Sequence, residues 1–239
     1  MNLALTLLFA AMTSAEAIVT LLNTAASTGP RRFAEAKAQV EAEARAGKLL
    51  QKFVIGVTTD DKELSRRYLD AARSQIFELA QKKNNSLAWY LLSMESNDRN
   101  CLNRAADGGN VQALNALGAL VTQEALNDKK LSTNELEKAL HKGYECFGQA
   151  AAMRDPNGFI NLGTCYLRGF GCEQDFEMAF ECFKSAAELG HPEGMDYMSA
   201  SYEHGHGVPK SSELSLYWKM RGRAARGDEA AAKWLRERK

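Results

Sequence analysis

The sequence predicts an all-α chain in which about five helix pairs stack into a solenoid that is closed by a C-terminal capping helix. The main observation is a repeat: residues 143–172 align without gaps with 179–208, and ten of the thirty positions are identical. A unit of this length buries its apolar face only by stacking on its neighbours. In addition, only four prolines occur, and none interrupts a stretch with helical periodicity.

The predicted helices follow one another with short connections, as expected for stacked pairs. Each boundary is defined by a capping residue, a glycine or a proline. The predicted ranges, in chain order, are 31–54, 61–82, 85–95, 97–108, 110–125, 132–153, 156–168, 175–189, 192–204, 211–226 and 228–238.

Each unit has the same internal plan. The first helix carries small and apolar residues at helical spacing, as in Gly158, Leu162 and Tyr166, and is predicted to end at Gly169-x-Gly171. The second helix is predicted to start after a capping residue, Asp175 or Ser211. The last helix begins at an aspartate and ends in basic residues, which suits a terminal cap.

An Ala-Ala pair marks the second helix of each unit and recurs at spacings of 34, 45, 36 and 38 residues. The interval of 45 residues is predicted to contain a longer connection near residues 122–135, in place of the Gly-x-Gly turn. The units before residue 105 carry fewer of these landmarks. The repeat is therefore clearest over residues 105–227, within a repeat domain that spans 31–239.

Residues 1–30 differ from the rest of the chain. They contain no Lys or Arg, and Leu3–Met12 is apolar apart from Thr6. The small-x-small sequence that follows, Ala15-Glu16-Ala17, is typical of a signal peptidase site and favours a secreted or periplasmic protein. Two alternatives stay open: a structured N-terminal helix in a cytoplasmic protein, and a membrane anchor, which Glu16 disfavours.

The charges of the chain balance, with 30 basic and 30 acidic residues. The total charge therefore gives no reason to expect a nucleic-acid partner or an anionic membrane surface. No cofactor-binding motif is present, since the "GFG" and "GHG" segments are predicted turns between helices rather than phosphate loops.

The cysteines and histidines have a packing interpretation. Cys146 and Cys182 occupy equivalent places in successive helices, about 9–10 Å apart, which exceeds the reach of a disulfide. They are predicted to be buried thiols, whereas Cys165 or Cys172 could form a disulfide. "EHGHG", from Glu203 to Gly207, could be read as a metal site but coincides with the repeat's turn, so no metal site is predicted.

The repeat resembles a known family, the Sel1-like repeat, which is a relative of the tetratricopeptide repeat. The pattern Gly/Ala-x-x-x-Leu-Gly-x-x-Tyr-x-x-Gly-x-Gly, followed by an aromatic residue and Ala-Ala before a Gly, carries the resemblance. The residues that match it best are Gly158, Leu162, Gly163, Tyr166, Gly169, Gly171, Ala179, Phe183, Ala186, Ala187 and Gly190. The next unit has Ser199 in place of the second Gly.

The resemblance implies a right-handed superhelix whose first helices line a concave surface. It also implies a non-catalytic scaffold that binds a protein or peptide through first-helix positions. Transferred to this chain, those positions are Gln112, Asn115, Thr122, Asn157, Ile160, Thr164, Glu193, Asp196 and Glu203. Because the set becomes acidic towards the last unit, the expected partner offers basic or amide groups there.

Two alternative functions stay open. One is a hydrolase of the cell envelope or a repeat protein that binds β-lactam or peptidoglycan, although the sequence contains no Ser-x-x-Lys and no recognisable catalytic motif. The other is a structural subunit whose groove is filled by its own N-terminal helix, residues 3–22. The sequence favours the scaffold, with no catalytic residue, no cofactor, no nucleic acid and no membrane contact beyond export.

Overall fold

The computed structural model describes residues 76–78, 80–81 and 85–238, and everything described is helix or short connection. The predicted helix 31–54, most of 61–82, and the expectations for residues 1–30 lie outside the described residues. Residues 76–78 and 80–81 are helical. The helices that follow are α1 (Ser86–Ser96), α2 (Arg99–Asp107), α3 (Val111–Asn127), α4 (Thr133–Ala152), α5 (Pro156–Arg168), α6 (Phe176–Glu188), α7 (Pro192–His204), α8 (Ser212–Ala225) and α9 (Glu229–Arg236).

The all-α prediction is confirmed, and the described helix boundaries fall within a few residues of those predicted. The chain divides into two compact units, residues 1–108 and 109–239. In the described part of the first unit, α1 packs on α2. Trp89 is buried there, meets Phe77 edge to face at 6.5 Å, and lies under the guanidinium of Arg104.

In the second unit, every helix packs on the next one along the chain. The pairs α3–α4, α5–α6 and α7–α8 form three repeats, and α9 packs on α8 as the predicted cap. Helix α5 also contacts α3 and α7, so the first helices of successive repeats lie side by side. This arrangement agrees with the predicted solenoid.

Local sequence explains where most of the described helices begin. Side-chain oxygens of Asn110, Asp155, Asp175, Ser211 and Asp228 accept hydrogen bonds from backbone N–H groups in the first helical turn. Helix α4 starts with a capping box, in which Ser132 and Glu135 each bond the other's backbone. The Ser132 hydroxyl also donates to the Glu135 carboxylate at 2.6 Å, and this bond, together with the one from the Ser132 N–H, lowers the pKa of the Glu135 carboxyl.

The long interval between the second and third Ala-Ala pairs arises differently from the prediction. Helices α3 and α4 contain 17 and 20 residues, whereas α5 and α6 contain 13 each. Only residues 128–132 separate α3 from α4. The added residues therefore lengthen both helices, and the connection stays short.

In the repeats α5–α6 and α7–α8, the Gly-x-Gly turn packs against the preceding repeat. Gly169 and Gly171 have φ values of 70° and 74°, a region that L side chains rarely adopt. The backbone of Gly171 also lies against Leu140 and His141 of α4, so closely that a side chain would collide with the Leu140 carbonyl. In the next repeat, Gly207 lies against Phe176 in the same way.

Small residues allow close approach elsewhere in the repeat. A Cβ at Gly158 would come within 2.8 Å of the Ala150 Cβ, and one at Gly194 would come equally close to the Ala186 Cβ. Gly163 accommodates the ring of Phe183, which is 1% exposed and stacks on Tyr197 at 4.2 Å. The landmarks of the repeat are thus helix contacts.

Candidate functional site

The nine predicted binding residues all lie on the first helices α3, α5 and α7 of the second unit, or at their ends. We call them the first-helix surface. Their burial and contacts differ from one repeat to the next, so they do not form a uniform surface. The prediction that they bind a partner stays a prediction.

Asn115, Ile160 and Asp196 occupy equivalent positions in the three repeats. The Asn115 amide donates to Oδ2 of Asp155 at 2.8 Å, and the same carboxylate oxygen caps α5 by accepting from the N–H of Gly158. Asn115 also accepts from the amide of Asn161 at 3.2 Å. It therefore ties one repeat to the start of the next.

The other two equivalents differ from Asn115 in their contacts. Ile160 is 5% exposed and belongs to the core. Asp196 pairs with Arg226 at the end of α8, where one guanidinium nitrogen lies 3.2 Å from Oδ1. This hydrogen bond raises the pKa of the Arg226 guanidinium. Asp196 is exposed but already has a cationic partner within the chain.

Gln112, Asn157 and Glu193 form a second equivalent set near the helix starts. Gln112 is partly buried, and its Oε1 has no hydrogen-bond partner within the described part of the chain. Asn157 and Glu193 are exposed. These two residues present an amide and a carboxylate to the solvent on neighbouring repeats.

Thr122, Thr164 and Glu203 complete the first-helix surface. The Thr122 hydroxyl points at Gly143 of α4, and the Thr164 hydroxyl donates to the Ile160 carbonyl of its own helix at 2.9 Å. Glu203 is exposed at the end of α7. The exposed members of the first-helix surface are therefore Asn157, Glu193, Asp196 and Glu203, three of which are acidic.

Aromatic rings meet between successive repeats, but the particular ring pairs were not predicted from the sequence. The Tyr166 ring meets Tyr144 edge to face at 5.7 Å, and Tyr202 meets Phe180 edge to face at 5.6 Å, both at 85°. The Tyr144 and Tyr166 hydroxyls also lie 2.9 Å apart, and this hydrogen bond raises the pKa of Tyr166. The sequence contains a signal for these contacts, because in both pairs the second ring follows the first by 22 residues.

Cys146, Cys165 and Cys182 are buried thiols, as predicted for Cys146 and Cys182, whereas Cys101 and Cys172 are partly exposed. Burial raises the pKa of the Cys165 thiol to about 12 and that of Cys182 to about 11. Since the thiolate is the reactive form, neither group is activated at neutral pH. The structure shows Cys165 and Cys172 as thiols rather than as a disulfide.

The "EHGHG" segment forms the turn that the repeat predicts, with Gly205 and Gly207 at positive φ. The His206 ring stacks on Phe176 at 4.8 Å, so it packs this turn onto α6. Among the described residues, no group of three or more His, Cys, Asp or Glu side chains could hold a metal ion. No helix in the described ranges is both long and apolar enough to span a membrane.

Comparison with known proteins identifies the repeat. The Sel1 repeat model matches this chain over residues 160–191 and 192–218. Sel1 repeats are typically protein-interaction scaffolds and usually non-catalytic. No curated protein matches the sequence.

The solved structures that are similar to the chain include two whose descriptions name the same kind of repeat. One is a Sel1 repeat protein from Oxalobacter formigenes, with 24% identity and a TM-score of 0.46 over 53% of this chain and 90% of that one. The other is c5321, described as a protective antigen of uropathogenic Escherichia coli strains with an SLR fold, with 17% identity and a TM-score of 0.37. That match covers 92% of this chain, which spans 57% of the length of c5321.

Proposed function

We propose that this Sel1 repeat protein is a non-catalytic scaffold that binds a protein or peptide partner through the first-helix surface. The observation that carries the proposal is the exposure of Asn157 and Glu193 at equivalent positions of adjacent repeats. Their helices are fixed by close glycine contacts, so binding would not require the surface to order first.

The charge of the surface indicates the chemistry of the partner. Glu193, Asp196 and Glu203 are exposed along one helix, where Arg226 pairs with Asp196 and also interacts electrostatically with Glu193. A segment with lysine or arginine side chains complements this pattern, with amide donors facing Asn157. Exposed charges are screened by salt, so the association should weaken as ionic strength rises.

The test compares two variants by affinity capture from the native host. The double variant Asn157→Ala/Glu193→Ala removes one amide and one carboxylate from the first-helix surface. The matched control, Gln149→Ala/Glu188→Ala, removes the same groups from exposed positions on the second helices α4 and α6. We expect the first variant to lose partners that wild type and control retain. Equal recovery by all three proteins would show that the surface is wrongly assigned.

We also propose that the protein is exported, which rests on the apolar segment Leu3–Met12 and the small-x-small sequence after it. An intact mass of the protein from its native host tests this. Loss of about 17 N-terminal residues supports cleavage by signal peptidase, whereas retention of Met1–Ala17 contradicts it.

A further inference from the structure

The last repeat, α7–α8, has a pocket on its surface. In the preceding repeat, α5–α6, the equivalent surface is covered by α7. The pocket has a volume of about 330 Å³ and lies between the end of α7 and the first half of α8. Its lining includes Tyr202, Glu203, Lys210, Ser215, Leu216 and Lys219.

The repeat shows what normally covers this surface. Ala179, Phe180 and Phe183 of α6 become Ser215, Leu216 and Lys219 of α8, 36 residues later. The α6 residues are buried in a cluster with Met195 and Met198 of α7, and Tyr202 and Tyr197 pack against it. As a result Phe180 is 8% exposed, whereas Leu216 is 42% exposed.

One part of the covering surface is an aromatic ring. Tyr166 meets Tyr144, and Tyr202 meets Phe180, with the same edge-to-face angle of 85°. Leu216 occupies the position equivalent to Tyr144 and Phe180. Helix α9 ends at Arg236, before the position, 36 residues after Tyr202, at which a third ring would follow. The residue 36 positions after Tyr202 is Arg238, which has no aromatic ring.

The charges at the rim distinguish this pocket from its equivalents in the earlier repeats. Lys219 stands where Phe147 and Phe183 stand in α4 and α6, and Lys210 lies on the turn before α8. Both lysines are exposed and face one acid, Glu203. The N-terminal turn of α8, whose dipole favours negative charge, lies beside them. A ligand that carries an aromatic ring next to a carboxylate would match both the apolar side chain of Leu216 and the two lysines.

We propose that the pocket binds an aromatic residue of a partner peptide that is flanked by acidic residues. The ring would rest on Leu216 in the way that Tyr202 rests on Phe180, and the carboxylates would lie near Lys210 and Lys219. This inference rests on the proposed function, since it supplies a scaffold with a second, oppositely charged contact point. Such a scaffold could hold a basic segment and an acidic segment at once.

The experiment titrates the full ¹⁵N-labelled chain with the peptide Tyr-Glu-Asp-Gly-Asp-Gly. This peptide is the chain's own turn Tyr202–Gly207 with both histidines replaced by aspartate. We expect saturable shifts confined to the backbone amides around Leu216. A peptide with alanine in place of tyrosine should bind about tenfold more weakly, which corresponds to the loss of one aromatic contact.

Protein variants separate a specific pocket from adhesion to the surface. Leu216→Ser should weaken binding about tenfold, whereas Leu214→Ser, equally exposed on the same helix but outside the pocket, should bind like wild type. Lys219→Glu should also weaken it, whereas Lys233→Glu on α9 should not. Circular dichroism checks that each variant remains folded.

Three results would overturn the proposal: no saturable shifts, equal binding of the tyrosine and alanine peptides, or equal binding by the two leucine variants. A molar mass that rises with concentration in sedimentation, and falls to the monomer value in Leu216→Ser, would also overturn it, because a second copy would then occupy the pocket. None of these outcomes affects capture through Asn157 and Glu193. Failure of the pocket and failure of the scaffold function are therefore distinguishable.

Discussion

The helix pairs α5–α6 and α7–α8 are copies of one unit but bury different residues. In α5–α6, Gly163 accommodates the Phe183 ring and Phe180 lies under Tyr202. In α7–α8 the equivalents are Ser199, Lys219 and Leu216. The landmark glycines that join each repeat to the preceding one are kept in both pairs, so they define the helix pairing. The positions that face the next repeat decide whether a surface is buried or exposed.

Truncation of the aromatic residue should show this difference most strongly. Phe183→Ala should lower the free energy of unfolding by about 3–5 kcal/mol, because it removes a buried ring and leaves a cavity between α5, α6 and α7. Lys219→Ala, at the equivalent exposed position of α8, should change it by less than about 0.5 kcal/mol. Urea unfolding followed by circular dichroism measures both. Similar losses would show that the two repeats do not differ as described.

The second prediction concerns the turn that both repeats share. Gly171→Ala should cost about 3 kcal/mol, because it combines a left-handed backbone conformation with a collision against the Leu140 carbonyl. Gly190→Ala is the matched control. It has a φ of 85° but no atom within 4 Å of the added Cβ, so we expect a loss of only about 1–2 kcal/mol.

Thermal unfolding of the two alanine variants, measured together with Gly207→Ala, compares the turn in both repeats. Gly207 lies against Phe176 as Gly171 lies against Leu140, so their losses should agree. If Gly171→Ala were no worse than Gly190→Ala, the close contact between repeats would not contribute to stability.

The third prediction concerns the buried thiol of Cys182. The terminal repeat has no thiol at the equivalent position, because Trp218 stands there. Burial raises the pKa of Cys182 from the usual value of 9.0 to about 11, so the folded chain keeps a proton that the unfolded chain releases. The contribution of the protonated Cys182 thiol to the free energy of unfolding is complete below about pH 9. It is lost as the pH rises towards 11. The loss should be on the order of 1 kcal/mol.

The measurement is the urea midpoint at pH 8 and pH 10.5. Cys182→Ala should reduce the difference between the two midpoints, whereas Trp218→Ala should leave it as in wild type. The comparison uses the pH dependence and not the stability itself, so the cavity that each substitution creates does not affect it. An unchanged pH dependence in Cys182→Ala would contradict a buried thiol with a raised pKa.

Much of the fold could be predicted from the sequence because its determinants are local. Capping residues such as Asp175 and Ser211, and turn glycines such as Gly169, act within a few residues of their own position. The ranges predicted for α3 and α4 were close to those observed, but the interval of 45 residues was wrongly assigned to a longer connection. An interval of 45 residues fits a longer loop as well as longer helices, and the capping box at Ser132 is the feature that decides between them.

The candidate site was less predictable, because a partner-facing position and a position facing the next repeat have the same helical periodicity. Asn115 and Asp196 are polar, but they make contacts within the chain, with Asp155 and Arg226. Ile160 is buried. These contacts join residues 30 to 40 positions apart, so no local pattern reveals them. The pocket on α8 depends on what is packed beside it, which one unit of the repeat does not encode.

The smallest expected loss of stability concerns the polar contacts of Asp196 with Arg226 and of Asn115 with Asp155. Asp196→Asn should lower the unfolding free energy by no more than about 1 kcal/mol, because its pair with Arg226 is exposed to solvent and screened by salt. Asn115→Ala, at the equivalent position two repeats earlier, should cost about 1–2 kcal/mol, since it leaves a partly buried network with Asp155 incomplete.

Unfolding at about 0.05 and 0.5 M salt separates the two variants, because screening acts on the ion pair. The effect of Asp196→Asn should vanish at high salt, and that of Asn115→Ala should persist. An Asp196→Asn loss that is independent of salt would mean that the terminal repeat is held by packing against Gly222 rather than by charge.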